Sequence, residues 1–123
     1  MAKHNDTGTW GEEIACEHLI SLGYAIVERN WRMGHLEIDI IASRGQKLVV
    51  AEVKTRSDKD EDPFEAVDNR KIGNIVRAAE AYVKLTDTPL EVQFDLFGIS
   101  GKPDDYILEH IPNAFEPSLR TYR

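Results

Sequence analysis

Four charged residues stand out by their spacing. Glu37 and Asp39 alternate with apolar residues in Leu36-Glu-Ile-Asp-Ile-Ile-Ala42. Glu52 and Lys54 do the same in Lys47-Leu-Val-Val-Ala-Glu-Val-Lys-Thr55. Both stretches read as strands, and Ser43-Arg-Gly-Gln46 between them reads as a turn. If Gly45-Gln46 is a two-residue loop, with Gly first as a type II′ turn prefers, Asp39 falls opposite Glu52 and Glu37 opposite Lys54. Side chains alternate along a strand, so these four share one face, while Ile38, Ile40, Ala51 and Val53 line the other. Two unit charges about 4 Å apart repel by about 4 kcal/mol at an effective dielectric of 20. Facing carboxylates in such apolar strands therefore need compensation. A divalent cation supplies it, and two carboxylates with several waters suit Mg²⁺ or Mn²⁺. The plainer alternative is an exposed strand face on which Lys54 and neighbouring arginines neutralise the acids.

Two helical residues bear on that choice. In the first helix Glu12 shares a stripe with Ala15, Cys16 and Leu19, which sets a carboxylate at the edge of a packed face. In the second, Lys71 interrupts the inward stripe Phe64, Val67, Ile75, Ala78, Tyr82 and Leu85. Its long stem could simply snorkel to water. The sharper reading gathers Glu12, Asp39 and Glu52 around a metal, with Lys71 facing the same cleft. Other chemistries find little support. His4, His18, His35 and His110 lack zinc-ligand spacing, Cys16 reads as a packing residue, and no Gly-rich loop cradles a phosphate.

The elements that must position these side chains follow from the chain's punctuation. A helix from about Thr9 to Leu22 stops at Gly23, and Tyr24 to Arg32 is a strand. The two central strands come next. Pro63 opens a helix to about Leu85, and Leu90 to Ile99 and Asp105 to Ile111 are further strands. The order α-β-β-β-α-β-β is an α/β domain of the α+β, mixed-sheet kind. A chain of 123 residues accommodates one such domain, with a core over residues 8–115 and a short C-terminal tail. No apolar run is long enough for a transmembrane helix, and no signal-peptide core follows Met1, so a cytoplasmic protein is expected.

The formal net charge is −7, which argues against indiscriminate nucleic-acid binding. Its distribution softens that objection. Residues 58–69 contribute −5, and residues 1–57 and 70–123 contribute −1 each. The acidic segment reads as a solvated loop. Arg29, Arg32, Lys47 and Arg56 remain as candidates for phosphate contacts beside the hairpin.

Asp39 followed by Glu52-Val53-Lys54 resembles the D-(x)n-E-x-K signature of the PD-(D/E)XK nuclease superfamily. The wider chain is more specific. Gly8-x-x-Gly11-Glu12-x-x-Ala15, Gly23-Tyr24, Arg29-Asn30-Trp31-Arg32, Ile38-Asp39-Ile40-Ile41-Ala42, Val53-Lys54-Thr55-Arg56, Lys71, Phe94-Asp95 and Asn113-Ala114-Phe115 closely resemble the bacterial YraN family. That resemblance implies a restriction-endonuclease-like αβββαβ core, similar to archaeal Holliday-junction resolvases. It implies Asp39 and Glu52 as metal ligands, aided by the main-chain carbonyl of Val53, with Lys54 as catalytic lysine and Glu12 as a helix-borne acid. Gln93 stands where the family commonly has Arg. The expected function is a Mg²⁺- or Mn²⁺-dependent endonuclease acting on structured or branched DNA, with Lys71 touching phosphate. Cutting two strands needs two sites, which a homodimer would supply. The alternative is a non-catalytic module of the same fold that binds DNA or a DNA-repair or recombination protein.

Overall fold

Leu48-Val49-Val50-Ala51 is apolar at every position, so its strand has to be covered from both sides. In a computed structural model, which describes residues 6–116, it is. The elements are α1 (Asp6–Ser21), β1 (Ala25–Met33), β2 (Leu36–Arg44), β3 (Lys47–Arg56), a 3-10 turn (Pro63–Ala66), α2 (Asn69–Thr86), β4 (Glu91–Lys102) and β5 (Asp105–Phe115). One five-stranded sheet runs β1-β2-β3-β4-β5 in chain order. β3 and β4, joined through α2, are parallel, and every other pair is antiparallel.

The helices cover opposite faces. Ala15, Cys16 and Leu19 of α1 pack with Ile40, Ala42, Val49, Ala51 and Phe97. Ile75, Ala78, Ala79 and Tyr82 of α2 pack with Ile41, Leu48, Val50 and Phe94. Trp31 of β1 meets the Tyr82 ring edge-on, at 5.3 Å between centroids, and ties the outer strand to α2. Among the described residues, no helix is long and apolar enough to cross a membrane.

The turn between β2 and β3 is the expected two-residue Gly45-Gln46 loop, with Gly45 at φ 60°. The expected pairing register holds from Arg44↔Lys47 to Ile40↔Ala51. There the ladder stops. Ile38 also departs from expectation: it packs with Ile41 on the α2 side, whereas Ile40, Ala51 and Val53 belong to the α1 side. Strict alternation is thus interrupted across Asp39 and Ile40. On the neighbouring strand, between the pairs Arg29↔Ile40 and Trp31↔Ile38, Asn30 takes a left-handed backbone with φ 53°.

The second helix begins later than its sequence suggests. Asp62 and Pro63 do start a helical turn, with the Asp62 side chain accepting from Phe64 N–H, but that turn is 3-10 and ends at an extended Val67. Asp68 then caps α2, accepting from Lys71 N–H at 3.0 Å. At the other end Leu85 faces solvent instead of completing the inward stripe.

Candidate metal centre

The open end of the β2–β3 hairpin gathers the charged residues. Where the ladder stops, the Asp39 carboxylate stands in for a strand partner, its Oδ2 accepting from Val53 N–H at 2.8 Å. In extended backbone the N–H and C=O of one residue leave on the same side. The Val53 carbonyl is therefore turned toward the same gap. Glu52, next along β3, is buried on the face that α2 covers. Its Oε2 meets Lys71 Nζ at 3.1 Å and Lys54 Nζ at 3.5 Å. Lys71 reaches it from the first turn of α2, where the Asp68 cap fixes the backbone.

Glu12 approaches from α1. Gly11 lets the helix come close, since a Cβ there would stand 2.4 Å from Thr55 Cγ2 of β3. The Glu12 carboxylate accepts from Asn30 Nδ2 at 3.1 Å and lies 3.8 Å from the Arg29 guanidinium. The left-handed turn of the β1 backbone thus delivers two donors to one acid. Sequence patterning gave no role to Asn30, because a local backbone twist leaves no trace in hydrophobic periodicity.

The electrostatics record what burial costs the acids of the site. Burial first, and then the Glu52 carboxylate, push the Asp39 carboxyl up to about 7, against the help of the Val53 N–H. Burial also raises Glu12, with Asn30 and Arg29 working the other way. Burial opposes the charge on Lys71, yet Glu52 outweighs it and holds that ammonium above its ordinary value. The donor set is two carboxylates with a backbone carbonyl beside them, all hard oxygens, with burial and the neighbouring Glu52 opposing the charge on Asp39. That chemistry fits Mg²⁺ or Mn²⁺ held with waters. Among the described residues, no three His, Cys, Asp or Glu side chains assemble into a metal cage, and Glu12 turns to Asn30 and Arg29 instead.

The basic candidates divide. Arg29 bridges Glu12 and Glu13, Arg32 pairs with Glu37 at 3.2 Å, and Arg56 lies two residues beyond Lys54 on β3. Lys47 lies elsewhere. It adjoins the Gly45-Gln46 turn, and five residues of strand put it about 17 Å from Glu52. Closeness in sequence misled here because an extended chain covers distance quickly.

A second polar cluster joins β4 to β5. Asp95, 1% exposed, accepts from Gln93 Nε2 at 3.0 Å and Asn113 N–H at 3.1 Å, and lies 2.7 Å from His110 Nε2. Although burial opposes its charge, these partners hold its pKa below the usual carboxylate value. Gln93, where the family resemblance leads one to expect Arg, serves this cluster. His110 stacks on Phe97 at 4.2 Å. These contacts fasten the irregular end of β5, where the register shifts between Phe94 and Leu96.

The profile of the Uncharacterised protein family UPF0102 matches residues 11–99, which span Glu12, Asp39, Glu52, Lys54 and Lys71. The chain belongs to the UPF0102 family. Whole-chain likeness agrees with the profile. A UPF0102 protein of Bacteroides thetaiotaomicron is 46% identical over 120 residues, covering 97% of this chain and 99% of the relative. One from Porphyromonas gingivalis is 45% identical, covering 98% and 91%. One from Flavobacterium psychrophilum is 41% identical, covering 94% and 98%. UPF0102 membership is the YraN resemblance of the sequence, here established over nearly the full length of each chain.

Proposed function

We propose that this UPF0102 protein is a divalent-metal-dependent endonuclease of the PD-(D/E)XK type, hydrolysing phosphodiesters in structured or branched DNA. The observation that carries the reading is that Asp39 bonds the Val53 N–H, between Glu52 and Lys54 on β3, where the β2–β3 ladder opens. The α-β-β-β-α-β order, with β3 and β4 parallel, supports a restriction-endonuclease-like core. Asp39 and Glu52, with the Val53 carbonyl, would hold Mg²⁺ or Mn²⁺. Such an ion supplies Lewis-acid activation of water and neutralises charge at the scissile phosphate. Lys54 orients the attacking water or stabilises charge as it develops on the phosphate. Glu12, held by Asn30 and Arg29, supports the site from outside the ligand set. Arg29, Arg32 and Arg56 offer contacts to the DNA backbone, and Lys47 is too distant to share in them.

Cleavage of a labelled four-way junction and a flap, in Mg²⁺ and in Mn²⁺, tests this reading. The wild type cuts, and Asp39→Ala and Lys54→Ala each lose at least about 100-fold in rate. Undiminished cutting by both variants, or no cutting by the wild type on any substrate, contradicts it. Junction binding without cleavage would instead assign a non-catalytic DNA-binding module.

A further inference from the structure

Glu52 is the most enclosed acid of the site, its side chain 7% exposed, and a single oxygen of it faces two ammonium groups. The two lysines have different origins. Lys54 stands on the same strand as Glu52, two residues on. Lys71 arrives from the first turn of α2, where a positive charge opposes the helix dipole. Its backbone N–H is already satisfied by Asp68, so the helix gains nothing from a cation at this position. What Lys71 does there is neutralise Glu52, since a buried carboxylate with no partner is strongly destabilising. The carboxylate it holds is one that a divalent cation at this site would need. A lysine also has a flexible four-carbon stem on which to move aside.

We propose that Lys71 is an exchangeable counter-ion. It holds the Glu52 carboxylate, at Oε2, until a divalent cation competes for that carboxylate, and the released ammonium then turns into the cleft to receive a DNA phosphate. This rests on the reading of Asp39 and Glu52 as a cation site. Lys71 and the cation thus compete for Glu52, and by linkage each weakens the hold of the other.

Calorimetric titration of the full chain with Mn²⁺ tests the competition. Lys71→Gln removes the charge and should tighten Mn²⁺ binding by about three- to tenfold. Lys71→Arg keeps a counter-ion for Glu52, and so keeps the fold. Its guanidinium grips a carboxylate more firmly, so Mn²⁺ binding should weaken. The expected order of affinity is Gln, then Lys, then Arg. A second readout separates true exchange from mere loss of nearby charge. In the wild type, the Lys71 ammonium signal in ¹H–¹⁵N NMR should be protected in EDTA and lost on saturation with diamagnetic Mg²⁺. A flat or reversed affinity order, or a Lys71 signal that persists with Mg²⁺ bound, overturns the exchange while leaving the cation site standing. Absence of Mn²⁺ binding by the wild type overturns both.

Discussion

Asp39 carries the sharpest consequence at the scale of single residues. An unfolded chain holds such a carboxyl near about 3.9, whereas burial and Glu52 push it up to about 7 in the fold. Between those values the folded state keeps a proton that the unfolded state has lost. Stability contributed below the lower value is therefore lost as pH rises, and the loss is complete above the upper one. Asp39→Asn keeps an oxygen for the Val53 N–H while removing the charge. In metal-free buffer at pH 8 it should be more stable than wild type by about 1–3 kcal/mol, read as a higher Tm. At pH 4 the two proteins should melt together. An equal or lower Tm for the variant at pH 8 would contradict the placement of a strained acid here. Glu52 and Lys54 are legible in the alternation of β3 and Lys71 in the helical stripe of α2, whereas Asp39 sits where the alternation of β2 breaks, and its bond to the Val53 N–H takes the place of the expected position opposite Glu52. Asn30 is not legible, since its left-handed backbone and its bond to Glu12 arise only once α1 lies against the sheet. Neither is the Asp95–His110 pair, whose members meet diagonally across the β4–β5 ladder, since His110 pairs with Phe97, two residues beyond Asp95.

Among the elements, the turn and the inner half of the hairpin match the sequence reading, while its outer half and the start of α2 do not. The hairpin has a local cause: Gly45 permits the tight turn, and the apolar positions fix the register around it. The helix start is ambiguous because two acids six residues apart each cap a turn. Asp62-Pro63 is a genuine start signal, but it opens the 3-10 turn, and Asp68 resets the chain into α2. That short turn has a specific seat. Phe64 and Pro63 lie over Gly98 of β4, beside Lys54 in the β3–β4 register, and a Cβ at Gly98 would stand 2.6 Å from Phe64 Cζ and 2.9 Å from Pro63 Cγ. Gly98→Ala should therefore lift the turn from the sheet and cost about 1–3 kcal/mol in urea denaturation. A stability unchanged within about 0.5 kcal/mol would show that the turn does not depend on this close approach.

For the whole molecule, the net charge of −7 takes on a different meaning once the acids have places. Asp58 to Asp62 are exposed, as a solvated loop requires. Lys59 ties that loop to Asp105 of β5, and Asp62 and Asp68 serve as helix caps, where negative charge is favourable. The acidic segment is thus partly structural. The acids that burial opposes are local: Asp39 and Glu12, beside a Glu52 held between Lys54 and Lys71. Arg29 and Arg32 are already matched by Glu12, Glu13 and Glu37. Under the proposed function, this balance predicts cation-assisted, salt-sensitive DNA binding without a strong nonspecific grip.

The claim on which the rest depends is that Asp39 and Glu52 form a divalent-cation site, and Mn²⁺ calorimetry on the wild type and Asp39→Asn tests it most directly. Saturable binding by the wild type that Asp39→Asn abolishes is the expected result. No saturable binding by the wild type, or equal binding by the variant, would contradict it.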